Sequence, residues 1–245
     1  MDSFNWEQYL KNYKDLRDAG INNQQSAWRH FLRFGKNENR SDKLNESEVI
    51  TYDENGNEVT NVEVSERQLA NEYILPDDVV FELGARYGSV SCTINRKLKN
   101  RKNQVVVEPD SRVWDSLEKN KLRNNCEFFI VKGFLSNSKL DLCDLESYNG
   151  YGTTAIRNDN SMIPSYTMEY IKGLTGIQTF NVLVADCEGF LEIFLDENPD
   201  ILNNLRLFMF EADRPDKCDY LKIRNLLNEK KFTELLSGHQ NVWIR

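Results

Sequence analysis

The stretch Val79-Val80-Phe81-Glu82-Leu83-Gly84-Ala85-Arg86-Tyr87-Gly88 decides how this 245-residue chain is read. Its opening apolar run, rich in β-branched residues, predicts a short strand buried on both faces. Glu82 ends the strand, Gly84 permits a tight turn, and Gly88 lets a helix start close to a ligand. The spacing is G-x-x-x-G. A dinucleotide fingerprint, G-x-G-x-x-G, needs glycine where Arg86 stands, so a nicotinamide cofactor is not expected.

Outward from this turn the same alternation continues. A helix is expected to Leu98, a strand at 105–107, a helix over 111–122 and a strand at 128–131. After a long polar excursion come a strand at 182–184, a helix at 190–197, a strand at 207–210 and a helix over 216–227. Strands at 233–236 and 241–244 finish the chain, joined by Ser237-Gly238-His239-Gln240. Apolar strands alternating with helices give an α/β fold: a doubly wound, mostly parallel sheet with a terminal antiparallel hairpin. This is the arrangement of Rossmann-like class I methyltransferases.

Ligands in open α/β sheets bind outside the carboxyl ends of the strands. Val107-Glu108-Pro109-Asp110 puts an acid at such an end, 24 residues after Gly84. There Glu108 can accept bonds from both ribose hydroxyls of an adenosine ligand. In Ala185-Asp186-Cys187-Glu188-Gly189, Asp186 and Glu188 leave the fourth strand at alternate positions and are expected on different sides. The fifth strand ends in Phe210-Glu211-Ala212-Asp213. Asp186, Glu211 and Asp213 should therefore gather beside Glu82 and Glu108.

The ordered series E-L-G-A-R-Y-G, V-V-E-P-D, D-C-E-G and F-E-A-D resembles the FkbM family of S-adenosylmethionine (SAM)-dependent methyltransferases, over residues 65–245. The resemblance implies O-methylation of a sugar or glycan hydroxyl, with SAM as cofactor and S-adenosylhomocysteine (SAH) as product. It places Glu82, Gly84, Ala85, Arg86, Tyr87 and Gly88 around the methionine part of SAM. Glu108 goes to the ribose, Pro109 and Asp110 lie near the adenine, and Asp186 and Glu188 stand at the transfer site. Asp186 is the expected base and Glu211 the second candidate. The loop Tyr148–Asn160 is expected to act as a lid or acceptor-binding segment. Here Glu82 stands where the family usually has Asp, and Cys187 where it has an aliphatic residue.

Upstream, Trp6, Tyr9, Leu10, Tyr13 and Leu16 mark one face of a helix ending at Gly20. Ala27, Trp28, Phe31, Leu32 and Phe34 mark a second, stopping at Gly35. Residues 1–42 resemble a short helical module of giant-virus and bacterial proteins, one that docks a partner or mediates self-association. A polar connector follows at 43–64, with a hairpin signal around Asn55-Gly56. Ser65-Glu66-Arg67-Gln68 reads as a capping box opening a short helix.

The net charge is −8, and residues 46–78 carry ten acids against one arginine. A chain without a basic surplus attracts phosphate backbones weakly, so a nucleic-acid partner is not expected. Five scattered cysteines and two histidines, His30 and His239, make no zinc site, and no metal is expected. No apolar stretch is long enough to span a bilayer, and the first residues carry no secretory pattern. A cytoplasmic location is the expectation, the host cytoplasm if the source is viral. Two other readings stay open: a non-catalytic SAM-binding or interaction module, and a metal-assisted, catechol-type O-methyltransferase with Asp186, Glu211 and Asp213 as oxygen ligands.

Overall fold

The computed structural model describes residues 4–38, 40, 42, 49–59, 62–143 and 150–245. The chain divides into two compact units, 1–48 and 49–245. In the first, α1 (Trp6–Asn12), α2 (Lys14–Asp18) and α3 (Gln24–His30) are followed by a π-helical turn, Phe31–Gly35. The continuous helix expected as far as Gly20 breaks at Tyr13, whose backbone is extended (φ −129°). Its ring packs edge-on against Tyr9 and lies under the Arg40 guanidinium. Phe4, Tyr9, Leu10, Leu16 and Ala27 form the core of this unit. Gly35 is required there, because a Cβ would fall 2.2 Å from the Tyr9 hydroxyl. That hydroxyl pairs with His30 Nδ1 at 2.9 Å, a packing role for the histidine.

The second unit contains α4 (Val64–Tyr73), β1 (Val80–Leu83), α5 (Ser89–Lys97), β2 (Gln104–Glu108), α6 (Trp114–Arg123) and β3 (Phe129–Lys132). An excursion follows, with β4 (Phe134–Leu135), β5 (Leu140–Cys143), β6 (Thr154–Arg157), β7 (Ser165–Tyr166) and α7 (Met168–Thr175). The remainder is β8 (Val182–Ala185), α8 (Leu191–Glu197), β9 (Leu207–Glu211), α9 (Tyr220–Glu229), β10 (Thr233–Leu236) and β11 (Gln240–Ile244). The main sheet has seven strands in the order β10-β11-β9-β8-β1-β2-β3. Pairs from β9 through β3 are parallel, while β11 lies antiparallel to β9 and to β10. Counted along this sheet the order is 3-2-1-4-5-7-6, the Rossmann-like topology of class I methyltransferases.

Strand alternation divides the core cleanly. Phe81, Leu183 and Phe208 face one way, onto Ile171 of α7, Phe194 of α8 and Ile223 of α9. Val80, Val182, Val184 and Met209 face the other, onto Ala70 of α4 and Ile94 of α5. Both faces are covered, which is why the strands read as continuous apolar runs. Glu82 shares the α5 face. It is nevertheless buried, because Ser91 on α5 and Gln104 on β2 bind its carboxylate.

Four local expectations need correction. The Ser65 capping box is not used: α4 starts at Val64, preceded by Glu63 with φ +51°. α6 starts at Trp114, after a turn over 111–113. α9 starts at Tyr220, because Asp219 Oδ1 caps it by accepting from the Lys222 N–H at 3.0 Å. The polar excursion is not a plain loop. β5 and β6 form an antiparallel hairpin, and β4 pairs in parallel with β7.

Tyr148 and Asn149, at the head of the expected 148–160 loop, lie outside the described residues, as do Thr60 and Asn61 of the hairpin signal and all of 43–48. The described part of that hairpin has a single bridge, Tyr52 to Glu58, and packs within the second unit. No described helix is long and apolar enough to cross a membrane.

Candidate active site

The carboxyl ends of β1, β2 and β8 open into a single concave cavity, the setting in which small-molecule sites of open α/β sheets form. Its wall joins all three motif regions: Leu83, Gly84 and Arg86 after β1, Glu108, Pro109 and Asp110 after β2, and Asp186, Cys187 and Glu188 after β8. Phe134, Leu135, Leu142 and Ala155 supply an apolar side. Gly84 is irreplaceable at this junction. Its φ is +84°, and a Cβ would lie 1.6 Å from the Asp186 carbonyl oxygen, so any side chain would force β1 and β8 apart.

Glu108 ties the second loop to the first. Its Oε2 accepts the Arg86 N–H and its Oε1 the Asp110 N–H, each at 2.7 Å. Burial nonetheless lifts its carboxyl to about 7. Each oxygen keeps acceptor capacity beyond that one bond. Burial also acts to raise Asp110, but the Arg112 guanidinium and N–H bind it and hold it below the usual carboxylate value.

The acids after β8 and β9 lie together. Carboxylate oxygens of Asp186, Glu188 and Asp213 come within 4.8 Å of one another. The expectation that Asp186 and Glu188 diverge fails because the strand ends at Ala185. Glu188 then adopts φ +49° in the following turn, which brings both side chains to the cavity. Crowded, half-buried like charges hold their protons. Burial, then Glu211, raise Asp186 well above its ordinary value. Burial, then Asp213, lift Glu188 to about 9. Burial, then Glu66, lift Glu211 to about 8.

Of the residues read from the sequence, Gly84, Arg86, Glu108, Pro109, Asp110, Asp186 and Glu188 line this cavity. Ala85, Tyr87 and Gly88 do not. Ala85 packs in the cluster with Leu117 and Phe128, the Tyr87 hydroxyl donates to Glu54, and Gly88 lies against Leu117. Glu82 and Glu211 line a neighbouring cavity with Glu66 and Gln240. His239 pairs with Glu211 through Nε2.

Among the remaining lining residues, Glu63 and Tyr151 had no role of their own in the sequence motifs, Tyr151 falling within the 148–160 loop read as a lid or acceptor-binding segment. The first lies in the stretch read as connector. The second belongs to the described part of the β5–β6 hairpin tip, residues 150–153, which is held at the cavity wall. Arg86 donates to the Gly150 carbonyl at 3.0 Å and Arg214 to the Gly152 carbonyl at 3.3 Å.

No protein-family model and no curated protein matches this chain. Similar solved structures include an O-methyltransferase from Bacillus cereus in complex with SAH, 11% identical, covering 98% of this chain and 100% of that one, TM-score 0.49. Another is precorrin-6y C5,15-methyltransferase from Geobacter metallireducens, 12% identical over 73% of this chain and 88% of that one, TM-score 0.48. A third is a tRNA m1G37 methyltransferase from M. jannaschii, 13% identical over 73% and 46%, TM-score 0.38.

Proposed function

We propose that the chain is a SAM-dependent O-methyltransferase of the FkbM type, acting on the hydroxyl of a sugar or glycan. One observation carries this reading: a single cavity joins the glycine turn after β1, the acid ending β2 and the acid following β8, in a sheet of methyltransferase order. The ordered motifs supply the finer family and acceptor.

The residues suit the cofactor. Glu108 has acceptor capacity for ribose hydroxyls, and Pro109 with Phe134 and Leu135 offers apolar contact for a base. SAM supplies an electrophilic methyl group on a sulfonium. The protein's task is then alignment and dehydration. Gly150, Tyr151 and Thr153 line the cavity, and Asp186 lines it with them. A sugar hydroxyl is a poor nucleophile, so a carboxylate receiving its proton contributes about 10²–10⁴-fold. Asp186 takes that proton in its ionised form, where its raised proton affinity makes it a stronger base, with Glu188 and Glu211 alongside. The test is calorimetry of the full chain with SAM and SAH, followed by single-turnover methyl transfer to sugar acceptors. A chain that binds neither compound is not a methyltransferase, and one that binds both without turnover is the non-catalytic module.

One observation favours a second reading. Three carboxylates within 4.8 Å form a donor set suited to a hard divalent cation. If the enzyme is metal-assisted, EDTA abolishes turnover and magnesium restores it. Turnover indifferent to EDTA leaves Asp186 as the base.

A further inference from the structure

Glu82 is the acid that the motif pattern assigns to the methionine end of the cofactor, yet its carboxylate is already engaged. Oε1 accepts from Ser91 Oγ at 2.7 Å and Oε2 from Gln104 Nε2 at 2.9 Å. Glu82 is 2% exposed and does not line the main cavity. A different acid does. Glu63, just ahead of α4, is turned into the cavity by its left-handed backbone (φ +51°). Its Oε2 accepts from Ser89 Oγ, and among the described residues its Oε1 accepts no hydrogen bond. The Glu63 charge is near enough to act on Asp186, which lines the same cavity.

The same wall holds a complementary pair of donors. Arg86 is the only basic residue among the described residues that line the cavity. Its guanidinium carbon lies 4.2 Å from the centroid of the Tyr151 ring. The Tyr151 hydroxyl is buried and, among the described residues, meets no partner at hydrogen-bond geometry, with the Arg86 guanidinium close beside it, a costly state unless a ligand supplies a partner. It stays protonated, since burial lifts it to about 12, so it can donate.

An anionic spot beside a donor spot, both at the glycine turn, complements a group carrying an ammonium and a carboxylate on one carbon. A neutral sugar could hydrogen-bond to both but would leave their charges unmatched. Resting on the SAM reading above, we infer that Glu63 receives the ammonium of the cofactor's amino-acid end in place of Glu82, and that Arg86 and Tyr151 bind its carboxylate. Glu82 then acts as a positioning residue, bracing β1 against α5 and β2.

Three related ligands isolate this subsite: SAM, SAH and 5′-methylthioadenosine, which has the nucleoside and thioether but no amino-acid end. Calorimetry on the full chain should show Glu63→Gln and Tyr151→Phe weakening SAM and SAH by about 10- to 100-fold. Methylthioadenosine affinity should stay within about 3-fold, which also reports an intact fold, and Glu82→Gln should cost less SAH affinity than Glu63→Gln. The inference is overturned if Glu63→Gln binds SAH as wild type does. It is overturned equally if SAH and methylthioadenosine lose affinity in step. A wild-type chain that binds none of the three overturns the methyltransferase reading itself, a result distinguishable from either.

Discussion

At the scale of single residues, carboxylates that keep their protons set the pH behaviour of this protein. Glu82 titrates at about 8, raised by burial from an ordinary value of 4.5. Between those values the folded chain holds a proton that the unfolded chain has released. Stability from this group is therefore complete below pH 4.5 and is lost as pH rises toward 8, at up to about 1.4 kcal/mol per unit. Glu82→Gln removes that dependence while keeping the local bonds, since an amide can accept from Gln104 and donate to Ser91. Urea unfolding at pH 5 and pH 8 should show a shallower loss for the variant, and equal losses would refute the assignment. Asp186→Asn is the corresponding catalytic test. SAM affinity should change little while turnover falls about 10²–10⁴-fold, and near-normal single turnover would end its role as base. Positions fixed by strand ends, such as Glu108 and Asp186, were legible in the sequence because strand and turn dictate where they lie. Glu63 was not, because its placement depends on a left-handed residue ahead of a helix, which no local pattern announces.

At the scale of elements, the seven main-sheet strands were legible and the four strands of the excursion were not. β1, β2 and β8 are apolar on both faces and announce themselves by composition. β5 and β6 are four residues each, mostly half-exposed, and mixed in polarity. They are strands only because Leu140 and Leu142 pack on the larger core, a tertiary cause invisible to periodicity. The described part of their hairpin's tip, residues 150–153, depends on side chains from elsewhere. Arg214 holds the Gly152 carbonyl while its guanidinium also grips Asp216. Arg214→Ala should free that edge of the tip and speed SAH dissociation about 5- to 10-fold, with little change in unfolding midpoint. Stopped-flow displacement would measure it, and an unchanged off-rate would mean the tip is held by Arg86 alone.

At the scale of the whole molecule, the question is where the catalytic unit begins. The motif resemblance starts at residue 65, whereas the compact unit starts at Val49. Residues 49–59 earn their place through two asparagines on and just after α6. Asn124 accepts the Ile50 N–H and donates to the Ile50 carbonyl, at 3.3 and 2.8 Å. Asn120 does the same for Tyr52, at 3.0 and 2.8 Å, and also donates to the Tyr87 carbonyl. The two amides thus copy the pairing of a neighbouring strand. Val49, 1% exposed, enters the cluster with Ala85, Leu117 and Phe128. None of this was readable from sequence, because an acidic stretch that looks like a solvated linker gives no hint of amide partners some 70 residues away. A 65–245 fragment would lose the valine, worth about 1.5–3 kcal/mol, and four hydrogen bonds of about 1 kcal/mol each. It would also lose Glu63. Against a typical domain stability of about 5–15 kcal/mol, that loss leaves a marginal fold. A 49–245 fragment should unfold with a midpoint close to that of the full chain and bind SAH equally well. The 65–245 fragment should melt at least about 10 °C lower and bind methylthioadenosine in preference to SAH. Equal midpoints for the two fragments would show that residues 49–59 are the solvated linker their composition suggests.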